Sequence, residues 1–313
     1  MTKIALFFGG KISQHLVLVK KAAKKLKVDL DLVSYNRVCF DTESRDILIR
    51  PNLSNENKIK QFDGYKKVDD YDVLFFRTTG KHWEEVDLII NSIKRDDVIV
   101  VDPLVRSGKP SMACKAWQML ALKEAGIDVP KTIYGSLWFL YENMMIEKPF
   151  EFPVILKGSG GDRGTRVYKA DDLEQLEKLV RDLRKTETEE GKRYMLQEYI
   201  PNDGDYRVLV LGEKVLGVMK RSSQSVAEFK NNYSAGGKFE VADLPEEIKK
   251  LALKAAKTCG LAVAGVDVAF RNFDLKKPVI WEVNKGPQFK GFMQATGIDV
   301  PAEIVKFLVS LNK

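Results

Sequence analysis

The sequence predicts an α/β (α+β) protein that begins with an open parallel sheet and ends in mixed α+β units. Three observations predict it. Short apolar runs alternate with helix-period stretches over residues 1–105. The apolar run 152–156 passes straight into a glycine-rich segment. Near the end, the runs 262–270 and 278–284 flank the polar turn 271–277 and read as an antiparallel hairpin.

In chain order, residues 4–8 predict a strand, 14–26 a helix, 28–35 a strand, and 71–77 and 98–102 two more. The stretch 103–110 marks a boundary, giving units at 1–105, 106–192 and 193–313. Residues 111–125 are helical, closed by Gly126 before Val129 and Pro130. The strand 152–156 resumes at 167–168, so the glycines form a hairpin tip. Asp171 and Asp172 start a helix with Leu173, Leu176, Leu179, Val180 and Leu183 on one face. The polar stretch 185–192 reads as an exposed linker. Strands at 194–200 and 207–211 follow, with a turn at 212–214 into 215–220. The polar run 222–237 reads as a loop over a site. Leu244 and Pro245 open a helix that Gly260 ends, and 301–311 is a closing helix.

The 313 residues, 44% hydrophobic, suffice for two or three compact units. No apolar run reaches the ~20 residues that span a bilayer. The first ten residues are too short for a signal-peptide core, so no membrane is expected. Cys39, Cys114 and Cys259 are isolated, which supports neither a disulfide framework nor a zinc site and points to the cytoplasm. The net charge of +7 is spread over helix faces such as 20–25, compatible with an anionic substrate. Without a basic stripe interleaved with aromatics, no nucleic acid is expected.

Asp267, Glu282 and Asn284 are the first candidate ligands. Glu282 and Asn284, two residues apart on a strand, share a face, and the hairpin brings Asp267 beside them. Two acids inside apolar strands need a partner, and an all-oxygen cluster suits magnesium. The residues alone fit equally a surface-facing acid pair on an edge hairpin. Lys157 precedes Gly160, Gly161 and Gly164, whose backbone can approach a phosphate. It is not a Walker A loop, where lysine follows the glycines, and no GxGxxG follows the first strand. Gln197, Glu198, Tyr199 and Ile200 end a strand that can offer backbone groups to an adenine edge, with Asp205 placed to accept from ribose hydroxyls. Arg77, Thr78, Thr79 and Gly80 lie past a strand end, where open sheets place ligands, or form a plain turn.

These pieces, in this order, resemble the ATP-grasp enzymes, and most closely the RimK-type carboxylate–amine ligases, over roughly residues 105–311. The resemblance implies an ATP-grasp fold: a Rossmann-like N-terminal sheet domain, then central and C-terminal domains clamping ATP. It implies that Lys115 and Lys157 contact phosphates, that Glu198 to Ile200 form the adenine hinge, and that Asp205 is the ribose acid. Arg207, Lys220 and Arg221 match basic positions, with Arg207, Lys220 and Asn284 implied in catalysis. Lys230, Asn231 and Asn232 match an Arg-x-Asn near the phosphates. Asp267, Glu282 and Asn284 match ligands of two Mg²⁺ ions, for which Mn²⁺ can substitute.

The implied reaction joins a carboxylate to an amine through an acyl phosphate, on small-molecule or peptide substrates. Lys220, Arg221, Lys285 and Lys290 favour an acidic amino acid or peptide. An ATP-grasp kinase acting on a hydroxyl, a non-catalytic ATP-binding protein and a homo-oligomer stay open. The chain departs from the family at 285–290, where many members carry Ser-Pro-Gly.

Overall fold

The computed structural model describes residues 1–51, 65–79, 82–104, 114–159, 166–191, 193–202, 204–222 and 238–312. The N-terminal unit runs β1 (Lys3–Phe8), α1 (Gln14–Lys25), β2 (Asp29–Ser34), β3 (Val38–Asp41), β4 (Asp46–Ile49), β5 (Lys66–Lys67), β6 (Val73–Phe76), α2 (Trp83–Asn91) and β7 (Ile99–Val101). Its parallel sheet has the order β2-β1-β6-β7, as the alternating pattern predicts. Both faces are covered, so β1 and β6 are apolar throughout their centres. The small sheet β3-β4-β5 is an addition that the sequence reading lacked. Its Ile47 and Ile49 join the core on one side of the parallel sheet.

The next segment contains α3 (Lys115–Glu124), β8 (Thr132–Gly135), α4 (Leu137–Ile146), β9 (Val154–Gly158), β10 (Val167–Ala170), α5 (Leu173–Glu190) and β11 (Tyr194–Glu198). The sheet order is β10-β9-β11-β8, every pairing antiparallel. Tyr194–Glu198 therefore pairs with the strands before residue 192, not with those after it. Helix α5 corrects the expected linker at 185–192, because the helix continues to Glu190 and ends at Gly191 in the left-handed region. Glu and Lys are good helix formers. Glu187 is also buried, where it accepts from the Leu137 N–H at 3.0 Å. Polarity alone misread a helix whose buried stripe holds an acid with a partner.

The last segment contains β12 (Asp205–Leu211), β13 (Lys214–Ser222), β14 (Lys238–Ala242), α6 (Glu246–Thr258), β15 (Val263–Phe270), β16 (Pro278–Lys285), α7 (Lys290–Thr296) and α8 (Val300–Ser310). Its antiparallel sheet has the order β14-β13-β12-β15-β16. Alternation divides the side chains between two faces. Val208, Val210, Val218, Val266, Val268 and Val283 share a core with α6 and α3. Leu209, Leu211, Met219 and Val263 face the other way, into a core shared with α8, α1 and β1. That shared core joins the N-terminal sheet to the last one. No helix among the described residues is long and apolar enough to cross a membrane.

Candidate active site

The second face of the last sheet changes from apolar to charged towards the start of β12. Arg207 lies opposite Asp267, and Asp267 opposite Glu282, one rung across three strands. Asn284 sits two residues past Glu282, opposite Gly265. The guanidinium of Arg207 grips Asp267 through Nε to Oδ1 and Nη2 to Oδ2, both at 2.8 Å. Asn284 Nδ2 donates to Asp267 Oδ2 at 2.9 Å. At the far end of the row, Asp205 lies opposite Arg221, which donates to both of its oxygens. Arg221 Nη2 also lies 2.9 Å from Asp267 Oδ2.

Two lysines close on this row from outside the sheet. Lys115, in the first turn of α3, places Nζ 2.6 Å from Glu282 Oε1. Lys157, at the end of β9, feels the charges of Glu282, Lys115, Asp267 and Asp205. Burial pushes its ammonium below the ordinary lysine range, against the pull of Glu282. Burial also opposes ionisation of Glu282, but Lys115 and Lys157 outweigh it and hold the carboxyl below its usual range. For Asp267, burial is likewise outweighed by Arg207 and Arg221. Four cations thus surround three carboxylates, leaving a cleft with cationic excess.

The donor set fits magnesium. Two carboxylates and one amide, on one face of adjacent strands, are oxygen donors of the kind this hard cation takes. Among the described residues, no group of three or more His, Cys, Asp or Glu side chains could hold a metal, so Asn284 is needed to complete the set.

The remaining expected residues fall in different places. Gln197 is buried and donates to Thr132 Oγ1 at 2.8 Å. Glu198 Oε1 accepts from the Lys131 N–H and from Arg271, which also holds Asp128. Tyr199 lies under Lys169, and Ile200 is buried. Lys220 stands over the Tyr206 ring, on the α6 side of the sheet, and Arg221 instead points into the site. Asp205 is only 2% exposed and is taken by Arg221. Lys285 points to the α6 side as well; its Nζ is buried without a hydrogen-bond partner among the described residues, in the field of Asp102. Burial pushes that ammonium down to about 7. Lys290 is exposed at the start of α7. Gly160, Gly161, Gly164, Lys230, Asn231 and Asn232, with the loop 223–237, lie outside the described residues.

Arg77 supplies a contact that its position past β6 did not disclose. It is buried against Phe289 and donates through Nη2 to the carbonyls of Pro287 at 2.8 Å and Gly286 at 3.3 Å. The N-terminal sheet thereby holds the loop that follows β16. Pro287 in turn lies over Gly265 beside Arg207, where a Cβ on Gly265 would stand 2.9 Å from the Pro287 Cβ.

Lysines and guanidinia converging on a carboxylate row are the arrangement of a site for phosphate transfer or ligation. Residues 111–308 match the RimK-like ATP-grasp domain, and the chain belongs to that family. It is an ATP-grasp ligase, an enzyme that forms C–N bonds. It is 30% identical over 223 residues to a probable alpha-L-glutamate ligase of Cellvibrio japonicus, covering 70% of each chain. A probable alpha-L-glutamate ligase 2 of Pseudoalteromonas atlantica is 33% identical over 201 residues, 64% of each chain. The fold matches the ATP-grasp ligase PsnB, solved with a phosphomimetic variant of its minimal precursor, Mg and ADP. That match has a TM-score of 0.70 at 16% identity and covers 100% of this chain and 99% of the other.

Proposed function

We propose that this ligase couples ATP cleavage to amide formation through an acyl phosphate, on an acidic amino acid or peptide. The observation that carries the reading is the convergence of Lys115, Lys157 and Arg207 on the row formed by Asp267, Glu282 and Asn284. A carboxylate oxygen of the substrate attacks the γ-phosphorus, the bond to the β-phosphate oxygen breaks, and ADP leaves. The amine then attacks the acyl carbon, phosphate leaves with its bridging oxygen, and the nitrogen loses a proton.

This transfer needs charge compensation and alignment more than covalent help. Asp267, Glu282 and Asn284 would hold Mg²⁺, which when bound supplies neutralisation of phosphate oxygens. Lys115 and Lys157 serve the same end from α3 and β9. Arg207, held by Asp267, would meet the anionic acyl phosphate. Glu198 to Ile200, at and just past the end of β11, would be the adenine-facing segment. The glutamate ligase names of the relatives and the cationic excess of the cleft support an acidic substrate. Lys285 adds little to that argument, because it is turned away from the cleft.

The test is ADP release with Mg-ATP and a panel of amino acids, diacids and acidic peptides, with product masses measured. Condensation with loss of water supports the proposal. A stable phosphorylated product would instead make the chain a kinase.

A further inference from the structure

In the N-terminal sheet the chain leaves β1 for β2 on one side and returns as β6 on the other. Open sheets bind ligands outside the carboxyl ends of the strands where the order reverses in this way. Here those ends are Gly9 after β1 and Arg77 to Thr79 after β6. They border the loop beside the carboxylate row. Arg77 donates to the carbonyls of Gly286 and Pro287, and its own carbonyl abuts Gly286. One residue on, the Thr78 hydroxyl accepts from the Gly9 N–H at 3.0 Å.

His82, Glu85 and Tyr35 gather at this crevice. His82, just ahead of α2, lies so close to the Gly9 backbone that an added Cβ would meet its Cδ2 at 2.7 Å and its Nε2 at 3.1 Å. Its ring stacks on Tyr35, which follows β2, with centroids 4.7 Å apart. His82 Nδ1 lies 3.0 Å from Oε1 of Glu85, in the first turn of α2. Burial opposes ionisation of Glu85, but the His82 contact outweighs it and holds the carboxyl below its usual range. An ionised carboxylate only accepts, so Nδ1 carries the hydrogen and Nε2 keeps a lone pair. The Tyr35 hydroxyl is buried without a hydrogen-bond partner among the described residues. Burial, and then the charge of Glu85, keeps that phenol protonated. The side chains of His82 and Glu85 are 23% and 40% exposed, open to a ligand. The cationic cleft suits ATP and a carboxylate; a carboxylate beside a nitrogen lone pair suits an ammonium group.

We propose that this crevice is the subsite of the amine substrate, where Glu85 attracts its ammonium group and His82 Nε2 takes a proton from it. The assignment rests on the ligase reading of the cleft. An ammonium has no lone pair with which to attack. It gives one proton to Nε2, which passes it to solvent, and the freed nitrogen attacks the acyl carbon. The C–N bond forms, the bond from that carbon to the bridging oxygen breaks, and phosphate leaves with the oxygen. The nitrogen then sheds its second proton to solvent. Glu85 balances the imidazolium through Nδ1 while it lasts.

The experiment uses the full chain with the carboxylate and amine that condense fastest with Mg-ATP. Hydroxylamine is the probe, because it is largely neutral at neutral pH and captures an acyl phosphate as a hydroxamate without a base. His82→Phe keeps a ring on Tyr35 and removes both nitrogens; Glu85→Gln keeps a polar side chain without the charge. In His82→Phe, kcat with the amine should fall about 10²-fold or more, the scale for a positioned base. Hydroxamate formation and the KM for ATP should stay within about twofold of wild type. Glu85→Gln should raise the KM for the amine and leave that for ATP. Equal loss of amide and hydroxamate in His82→Phe would overturn the proposal, as would a wild-type rate of amide formation. If His82→Phe does not fold, an unchanged amine KM in Glu85→Gln overturns it. His15 and His82 are the only two histidines, so long-range ¹H–¹⁵N spectra of the wild type report the tautomer without turnover. In mildly alkaline buffer His82 should carry its hydrogen on Nδ1, and a hydrogen on Nε2 would contradict its role as base. Failure of the ligase reading would appear separately, as absence of ADP release from the wild-type enzyme.

Discussion

The Nζ of Lys115 lies 2.6 Å from Oε1 of Glu282, tying the first turn of α3 to the β16 end of the carboxylate row. Both side chains are about one-third exposed, so the pair contributes little to stability and its importance lies in the cleft. Lys115→Met is expected to lower kcat by about 10²–10³-fold, the scale for removing one fixed electrostatic donor. The denaturant midpoint should stay near wild type. Steady-state ADP release and a urea titration on the same sample check both.

Arg77 is expected to matter to the acceptor side of the reaction and not to ATP. Its hydrogen bonds hold Gly286 and Pro287, and Pro287 borders Arg207. Arg77→Met loses bonds to a charged donor worth about 1.5–3 kcal/mol each. The gain offsetting this is relief of a buried guanidinium whose Nη1 lacks a hydrogen-bond partner among the described residues. The net destabilisation should therefore be about 1–3 kcal/mol. With the loop released, kcat/KM for the acceptor should fall while the KM for ATP holds. An equal rise in both KM values would contradict the assignment.

Gly286 is required by geometry. Its φ is +60°, and an added Cβ would stand 2.4 Å from the Arg77 carbonyl oxygen. Gly286→Ala therefore combines backbone strain, about 1–3 kcal/mol, with a clash between the new Cβ and the Arg77 backbone carbonyl. Thermal unfolding should show the loss, and activity should fall further than for an alanine placed in an exposed loop.

Acid should weaken the contact around Glu198. Burial raises its carboxyl, but the hydrogen bonds from Arg271 and the Lys131 N–H outweigh this and lower it from 4.5. A depressed folded-state carboxyl stabilises above its unfolded value and loses that contribution as pH falls through the folded one. The contribution is thus complete above about pH 4.5 and fades below it. Glu198→Gln should be less stable than wild type at pH 7, with the difference shrinking on acidification. A difference that is constant from pH 7 to pH 3 would show that the charge is not responsible.

Most of the site was legible because its residues stand on strands with clear ends. The hairpin 262–284 could be read from two apolar runs and a polar turn, which brought Asp267 to Glu282. The register was less secure. Asp267 pairs with Glu282, but the next rung is Val268 with Ile280, so Trp281 is an extra residue in the ladder. Without that bulge, Glu282 and Asn284 would face the α6 core. A second irregularity between Leu209 and Val210 moves the partner of Asp205 to Arg221. A regular hairpin from the same turn would have placed Lys220 there and turned Arg221 to the other face. Bulges depend on packing of both strands and leave no pattern in hydrophobicity. The small sheet β3-β4-β5 and helix α4 were missed for a related reason. The α4 run Leu137–Ile146 is apolar on several sides, so it shows no helical period.

The central claim is that the carboxylate substrate is activated by phosphorylation in the cleft between Lys157 and Asp267. The measurement that tests it most directly uses a substrate carboxylate labelled with ¹⁸O, once an acceptor supporting turnover is in hand. The account predicts that each released phosphate carries one ¹⁸O atom from that carboxylate, in step with amide formation. Unlabelled phosphate accompanying the amide would contradict it.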